Sequence, residues 1–348
     1  MTKSCSSGED HRNQTLDILR GAAIICVIFT HLPGVTLRYN FFLWWFYALF
    51  IEMAVPVFMI LMGYCAVMAA EKRDLSLAQL YGPGNVFRKL RRYFLPFIPI
   101  VVLQLASVVV FTPQMYSVKE YFTLLITGGL GPGNYYIPVL LQFVFIFPLL
   151  FAVRKHALAV SLLINILFEA AVHYFSIPAE IYKICILRYL FLIGCGMSMF
   201  ENKERTFSRS VQTVVTVAGM IYLFYMTVFL DFGRCYPHWW STCCLSGLYL
   251  YFPIRNLIVS GALEKLKFKR AVCFLAYAGK CSYHIFLVQM LYFFACGYFF
   301  ELFGVKQLVR YIVTAALAFP ATLFIGCLYC RLEQYLDSLP FGVKKIKN

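Results

Sequence analysis

The sequence predicts an all-α integral membrane protein, a polytopic helical bundle of about ten transmembrane helices with both termini in the cytoplasm. Three observations predict it. Of 348 residues, 61% are hydrophobic and only 14% are charged, and the mean hydropathy is +0.74, more than one water-soluble core requires. The apolar residues fall in long runs separated by short charged clusters. A spanning helix needs about 20 apolar residues, so the chain has room for roughly ten or eleven spans and no large soluble domain.

Apolar runs bounded by charge, Gly or Pro place spans at 17–36, 43–70, 93–112, 135–153 and 157–175 in the first half. The second half gives 184–200, 210–230, 240–259, 282–300 and 308–330. Residues 117–130 are too short to cross. They end in the Gly128, Gly129, Gly131, Pro132, Gly133 stretch and read as an interfacial or re-entrant segment. Residues 263–281 mix Lys265, Lys267, Lys269, Arg270 and Lys280 with apolar residues, the pattern of a helix on the cytoplasmic surface.

The net charge of +15 is distributed as loop charge and not along a nucleic-acid-binding face. Lys72, Arg73, Arg88, Lys89, Arg91 and Arg92, and the tail Lys344, Lys345 and Lys347, read as cytoplasmic by the positive-inside rule. Alternating the spans from a cytoplasmic start also puts Arg154, Lys155, Lys203, Arg205 and Arg209 inside. The outer joints keep mostly single cations, Arg38, Lys119 and Arg234. Lys183 and Arg188 break the pattern, with two cations in the outer joint before the sixth span. The first apolar run has no Ala-x-Ala-like cleavage site and reads as a retained span. Thirteen cysteines imply no disulfide framework, since Cys26, Cys65, Cys185 and Cys195 lie inside apolar runs. Cys327 and Cys330 form a lone CxxC, at best half a zinc site, and read as helix packing; no metal is expected.

Polar residues at membrane depth are candidates for function because they are costly to place there. The first span opens Leu16-Asp17-Ile18-Leu19-Arg20-Gly21 and carries His31 roughly 16 Å further along a helix axis. His31 reads as a proton acceptor, as a helix–helix hydrogen-bonding residue or as a residue near the outer surface. Arg20 also reads as an interfacial anchor paired with Asp17 at i, i+3. The second span contains Val55-Pro56-Val57-Phe58 and then Gly63-Tyr64, where Gly63 permits close helix approach. Arg88 and Arg91 share a helix face, an arrangement suited to phosphate or to plain positive-inside charge. Glu52, and the i, i+4 pair Glu169 and His173, are weaker candidates for holding a polar ligand. Tyr135 and Tyr136 fit either sugar stacking or an interfacial aromatic belt.

Taken in order, the Leu-Asp-x-Leu-Arg-Gly opening with Arg20 and His31, the Val-Pro-Val-Phe-x-x-x-x-Gly-Tyr run and the Arg88/Arg91 pair resemble acyltransferase family 3. Tyr135-Tyr136-Ile137-Pro138 and Ser282-Tyr283-His284-Ile285-Phe286-Leu287-Val288-Gln289 extend the resemblance over about residues 15–330. Two positions depart from the family pattern: Met62 stands where Ser is usual, and Gln289 where many members have His.

The resemblance implies a membrane-bound acyltransferase, with a transmembrane domain at 15–332 between a cytoplasmic tail at 1–14 and a basic cytoplasmic tail at 333–348. The implied reaction moves an acyl group, commonly acetyl, from cytoplasmic acyl-CoA to a hydroxyl of an envelope polysaccharide or its lipid-linked precursor, in the plasma or inner membrane. His31 and Arg20 are then the catalytic candidates and Arg88 and Arg91 the donor-binding ones. Glu52, Tyr135, Tyr136, Glu169 and His173 fall on the acceptor side. No permanently bound cofactor is expected; acetyl-CoA or another acyl-CoA is a substrate. The expected partners are membrane lipid, the acyl-CoA and a carbohydrate acceptor, with no nucleic acid, and apolar faces are available for a second copy of the chain. The alternative from another class is a translocator that moves an amphipathic sugar or lipid without modifying it.

Overall fold

In the computed structural model, residues 13–32, 50–112, 116–228 and 244–338 are described. Arg38, Arg234 and the tail lysines lie outside them. The described residues form helices and turns, with no strand.

Helix α1 (Gln14–Thr30) starts at Asn13, whose side chain accepts from the Leu16 N–H at 3.4 Å, the usual satisfaction of a free helix-start donor. Helix α2 (Ala54–Lys72) leads through the short α3 (Leu77–Tyr81), which begins on a Ser76/Gln79 capping box, into α4 (Pro83–Phe111), which has Pro83 in its first turn. Helix α5 (Val118–Ile126) also begins on a capping box, Ser117 with Glu120, and buries no residue. Then come α6 (Tyr136–Ala152), α7 (Ala157–Tyr174), the short α8 (Ala179–Ile184) and α9 (Leu190–Glu201). The chain continues through α10 (Arg209–Val228), α11 (Cys244–Ser260), α12 (Lys269–Lys280), α13 (Ser282–Leu302) and α14 (Gln307–Ser338).

The described part of each apolar run expected from the sequence overlaps one of these helices. Among the described residues, five segments are long and apolar enough to cross a membrane: Ala54–Lys72, Pro83–Phe111, Arg154–Tyr174, Ser282–Leu302 and Gln307–Ser338. Large apolar side chains point outward from them, among them Ile98, Val102 and Val110 on α4 and Phe324 and Leu328 on α14. Water would penalise such a belt, whereas hydrocarbon accepts it. Helix α9 is shorter than the run that predicted it, at 12 residues. The preceding backbone leaves the helix, and the Gln142 amide closes the break, donating to the Ile184 carbonyl at 2.7 Å and accepting from the Ile186 N–H at 3.0 Å.

Glycines set two close crossings. A Cβ on Gly63 would meet the Ile193 carbonyl oxygen at 2.1 Å, and one on Gly196 the Ile60 carbonyl oxygen at 1.9 Å, so α2 and α9 touch backbone to backbone. The same holds for α1 and α12, through Gly21 against Leu275 and Gly279 against Asp17. Helix α12 is therefore not simply laid on a surface, as the charge pattern implied. It packs along α1 more extensively than any other helix pair packs among the described residues, burying Val272, Ala276, Ala278 and Gly279, while Lys269, Arg270 and Lys280 stay exposed.

Ion pairs mark one end of the bundle. Arg154 reaches Glu71 at 2.6 Å and Glu201 at 2.9 Å, which joins the ends of α2, α6 and α9. Arg255 donates to the carbonyls of Asn202 and Lys203 nearby, at 2.7 and 3.2 Å. This is the basic end. The opposite end carries His31, the glycine-rich turn, Lys183 and Arg188.

Candidate active site

A cavity of about 910 Å³ runs inside the bundle, walled chiefly by α1, α2, α4, α6 and α13, near the upper size of small-molecule sites. Toward the basic end its lining includes Arg73, Lys89, Arg92 and Lys280, then Arg20. Its other end is lined by His31, Glu52, Tyr135, Lys183, Arg188 and Tyr189.

Arg20 is fixed before any ligand arrives. Its Nη1 donates to Asp17 Oδ1 at 3.1 Å and its Nη2 to Cys65 Sγ at 2.9 Å. Asp17 is 1% exposed, so the guanidinium has one face committed to a buried carboxylate and one turned to the cavity. This is the i, i+3 pair expected from the sequence, built into a wall.

His31 closes α1, its backbone N–H reaching the carbonyls of Ile28 and Phe29. The ring lies edge-on to Phe293, centroids 5.9 Å apart, and no side-chain hydrogen bond of the ring is formed among the described residues. The imidazole therefore faces the cavity with its nitrogens uncommitted among the described residues. Opposite it stands the glycine-rich turn, where Gly128, Gly129, Gly131 and Gly133 all have φ between 86° and 99°, a region that favours glycine. Gln104 pins the turn, donating to the Leu130 carbonyl at 2.6 Å and accepting from the Leu130 N–H at 2.9 Å. A Cβ on Gly133 would come within 4.0 Å of His31 Nε2 and 2.9 Å of Phe286. The segment read as interfacial or re-entrant thus divides into a surface helix, α5, and an inserted turn that supplies cavity wall beside the histidine.

The family model for the acyltransferase domain matches residues 13–331. The chain belongs to the acyltransferase 3 family. No curated protein and no solved structure matches it. Membership makes this an integral membrane acyltransferase and favours acyl transfer over the translocator alternative.

The family's motif residues do not all reach the cavity. Arg88 and Arg91 are exposed and absent from its lining, and Arg91 lies 3.6 Å from Asp337 of α14. The cations of α4 that line the cavity are Lys89 and Arg92. The reason is helical phase: α4 buries Phe97, Ile100, Val101, Gln104 and Val108, and that stripe carried back at helical spacing runs through Tyr93 and Lys89. Both candidate pairs have i, i+3 spacing, so spacing alone does not choose between them. The buried stripe of the same helix does.

Glu52, Tyr135 and Tyr136 line the cavity, but Glu169 and His173 do not. Helix α7 turns Glu169 toward α8, where it accepts from the Tyr182 hydroxyl at 2.8 Å, and His173 is exposed. Of the two departures from the family pattern, Met62 lines the cavity. Gln289 is fully buried, with both amide atoms lacking a protein partner. Cys330 also lines the cavity, while its neighbour Cys327 does not.

Sequence reasoning missed His284 and Glu333. They pair directly through Nε2 and Oε2 on the cavity wall, leaving the buried His284 Nδ1 without a protein partner. His284 occupies the variable position after Ser282-Tyr283, and its partner is on another helix, so no local signal announced the pair.

Proposed function

We propose that the protein transfers an acyl group, acetyl in the simplest case, from acyl-CoA to a hydroxyl of an envelope or exported polysaccharide or its lipid-linked precursor. The observation that carries this reading is one continuous cavity that joins a cluster of cations to an uncommitted imidazole, with Arg20 between them. By the positive-inside rule the basic end faces the cytoplasm, with both termini there, and about ten helices cross the membrane. Acyl-CoA then enters from its own compartment.

Arg73, Lys89, Arg92 and Lys280 hold the phosphates of CoA by charge-assisted hydrogen bonds. His31 stands eleven positions beyond Arg20 along α1, roughly 16 Å of rise. With the thioester at His31, Arg20 therefore acts on the donor's phosphate or arm and not on the reacting carbonyl. His31 Nε2 takes the proton of the acceptor hydroxyl while that oxygen attacks the thioester carbonyl carbon. The C–S bond breaks, and the leaving CoA thiolate recovers the proton. A relay through an acyl-imidazole uses the same nitrogen and is distinguished by a pre-steady-state burst.

The test is transfer from radiolabelled acetyl-CoA by the purified protein, with a crude envelope-glycan extract as acceptor. His31→Ala is expected to lower kcat by roughly 10²- to 10⁴-fold while eluting and unfolding like wild type. Turnover unchanged in His31→Ala removes the histidine from the chemistry.

A further inference from the structure

Lys183 and Arg188 are the two cations that fit no topology rule, and the structure gives them a common address. Both line the cavity at the end away from the donor cluster. Resting on the reading of this cavity as an acyl-transfer site, we infer that its far end is an acceptor subsite for a sugar bearing an anionic group, a carboxylate or a phosphate.

The site is built, not incidental. Arg188 is only 4% exposed. Its guanidinium lies over the rings of Tyr182 and Tyr189, at 4.7 and 5.1 Å, contacts that hold a planar cation in one orientation. The Asn165 amide donates to the Leu187 and Arg188 carbonyls at 3.0 and 3.1 Å, fixing the turn that presents it. The Tyr189 hydroxyl donates to the Lys183 carbonyl at 3.3 Å, so the two cation-bearing residues are tied through one ring. Tyr135 stacks on the buried Tyr189, 6.3 Å between centroids and 5° between planes, which braces the half-buried Tyr135 as an aromatic face of the kind sugars lie against.

Charge supplies the specificity. The ionised lining of this end among the described residues is Lys183 and Arg188 against Glu52, two cations to one carboxylate. Holding an excess cation in a partly desolvated cavity is unfavourable unless an anion joins it. A neutral glycan leaves that excess in place, whereas a uronate or sugar phosphate cancels it through charge-assisted hydrogen bonds. The tyrosine wall takes the ring, and His31 lines the same end for the reacting hydroxyl.

The experiment measures binding to the detergent-purified full chain by calorimetry, with four probes: a methyl hexuronide, the matched neutral methyl hexoside, a hexose phosphate and inorganic phosphate. Wild type is expected to bind the hexuronide or the hexose phosphate at least 10-fold more tightly than the neutral glycoside. Lys183→Gln should bring that ratio near unity and Lys183→Arg should restore it, and these variants avoid disturbing the buried Arg188. Equal affinity of wild type for charged and neutral sugars overturns the inference, as does a ratio that survives Lys183→Gln. Inorganic phosphate bound as well as the sugar phosphate, with the hexuronide ignored, reduces the site to plain phosphate and overturns the sugar assignment. Thioester cleavage measured on the same preparations separates the two readings. Anion-selective sugar binding without cleavage keeps the subsite and removes the acyl-transfer reaction.

Discussion

Exchanging charges on α4 separates two arrangements that look identical in the sequence. Lys89 and Arg92 line the cavity, whereas Arg88 and Arg91 point away from it. Lys89 is half-buried, with its ammonium 5.0 Å from the Phe147 ring. A charge-assisted hydrogen bond to a donor phosphate there contributes about 1.5 kcal/mol. Arg92 is exposed, and solvent screening discounts its share to about 1 kcal/mol. Together Lys89→Ala and Arg92→Ala remove about 2.5 kcal/mol, roughly a 60-fold rise in donor KM where chemistry is slower than donor release. Arg88→Ala with Arg91→Ala removes an ion pair whose side chains are 43% and 61% exposed, worth at most about 1 kcal/mol and unconnected to the donor. Its donor KM should stay within about threefold of wild type. The assay is initial-rate acetyl transfer at varied acetyl-CoA and two salt concentrations. Wild type should lose donor affinity as salt rises, and the Lys89/Arg92 double variant should lose less. A larger KM effect from Arg88 and Arg91 than from Lys89 and Arg92 refutes the helical-phase argument.

The remaining predictions concern the walls of the cavity. Gly196→Ala forces a methyl into the Ile60 carbonyl and should destabilise the protein by about 1–3 kcal/mol, read as a lower melting temperature in detergent. Gln104→Leu leaves both backbone groups of Leu130 without their side-chain partner. It should cost about 1–3 kcal/mol and lower kcat, because the turn it pins borders His31; a variant with normal melting and normal kcat disproves the pinning role. Gln289→Leu replaces a buried amide that has no protein partner and should be neutral to stabilising by about 1 kcal/mol. A loss of activity at preserved melting temperature would show that the amide serves the reaction.

The helices were legible because the bilayer demands long apolar runs and tolerates charge only between them. That is why the runs at 282–300 and 308–330 fall on helices long and apolar enough to cross. Arg20 and His31 were legible because a charge and an imidazole inside such a run have few reasons to be there. Legibility failed where the answer depended on rotation about a helix axis. Arg88/Arg91 and Lys89/Arg92 obey the same spacing, and Glu169 shares a helical face with His173 yet turns toward Tyr182. It failed again for His284 with Glu333, whose meeting is decided by the packing of α13 on α14. The misfit cations Lys183 and Arg188 were visible as an anomaly, but only the three-dimensional arrangement assigns them a common wall.

The contact between α1 and α12 has a mechanical consequence. Where Gly21 meets Leu275 and Gly279 meets Asp17, main chain rests on main chain with no compliant side chain to act as a bearing. Roll of either rod about its axis is blocked, and the pair retains only the freedoms of a single stiff beam. Arg20 and Lys280 each stand one residue from such a contact, so the backbone spacing of these two residues is gauged by peptide geometry itself. A rearrangement that opens or narrows this mouth therefore has to carry both helices together, with the fixed charges travelling as one jaw.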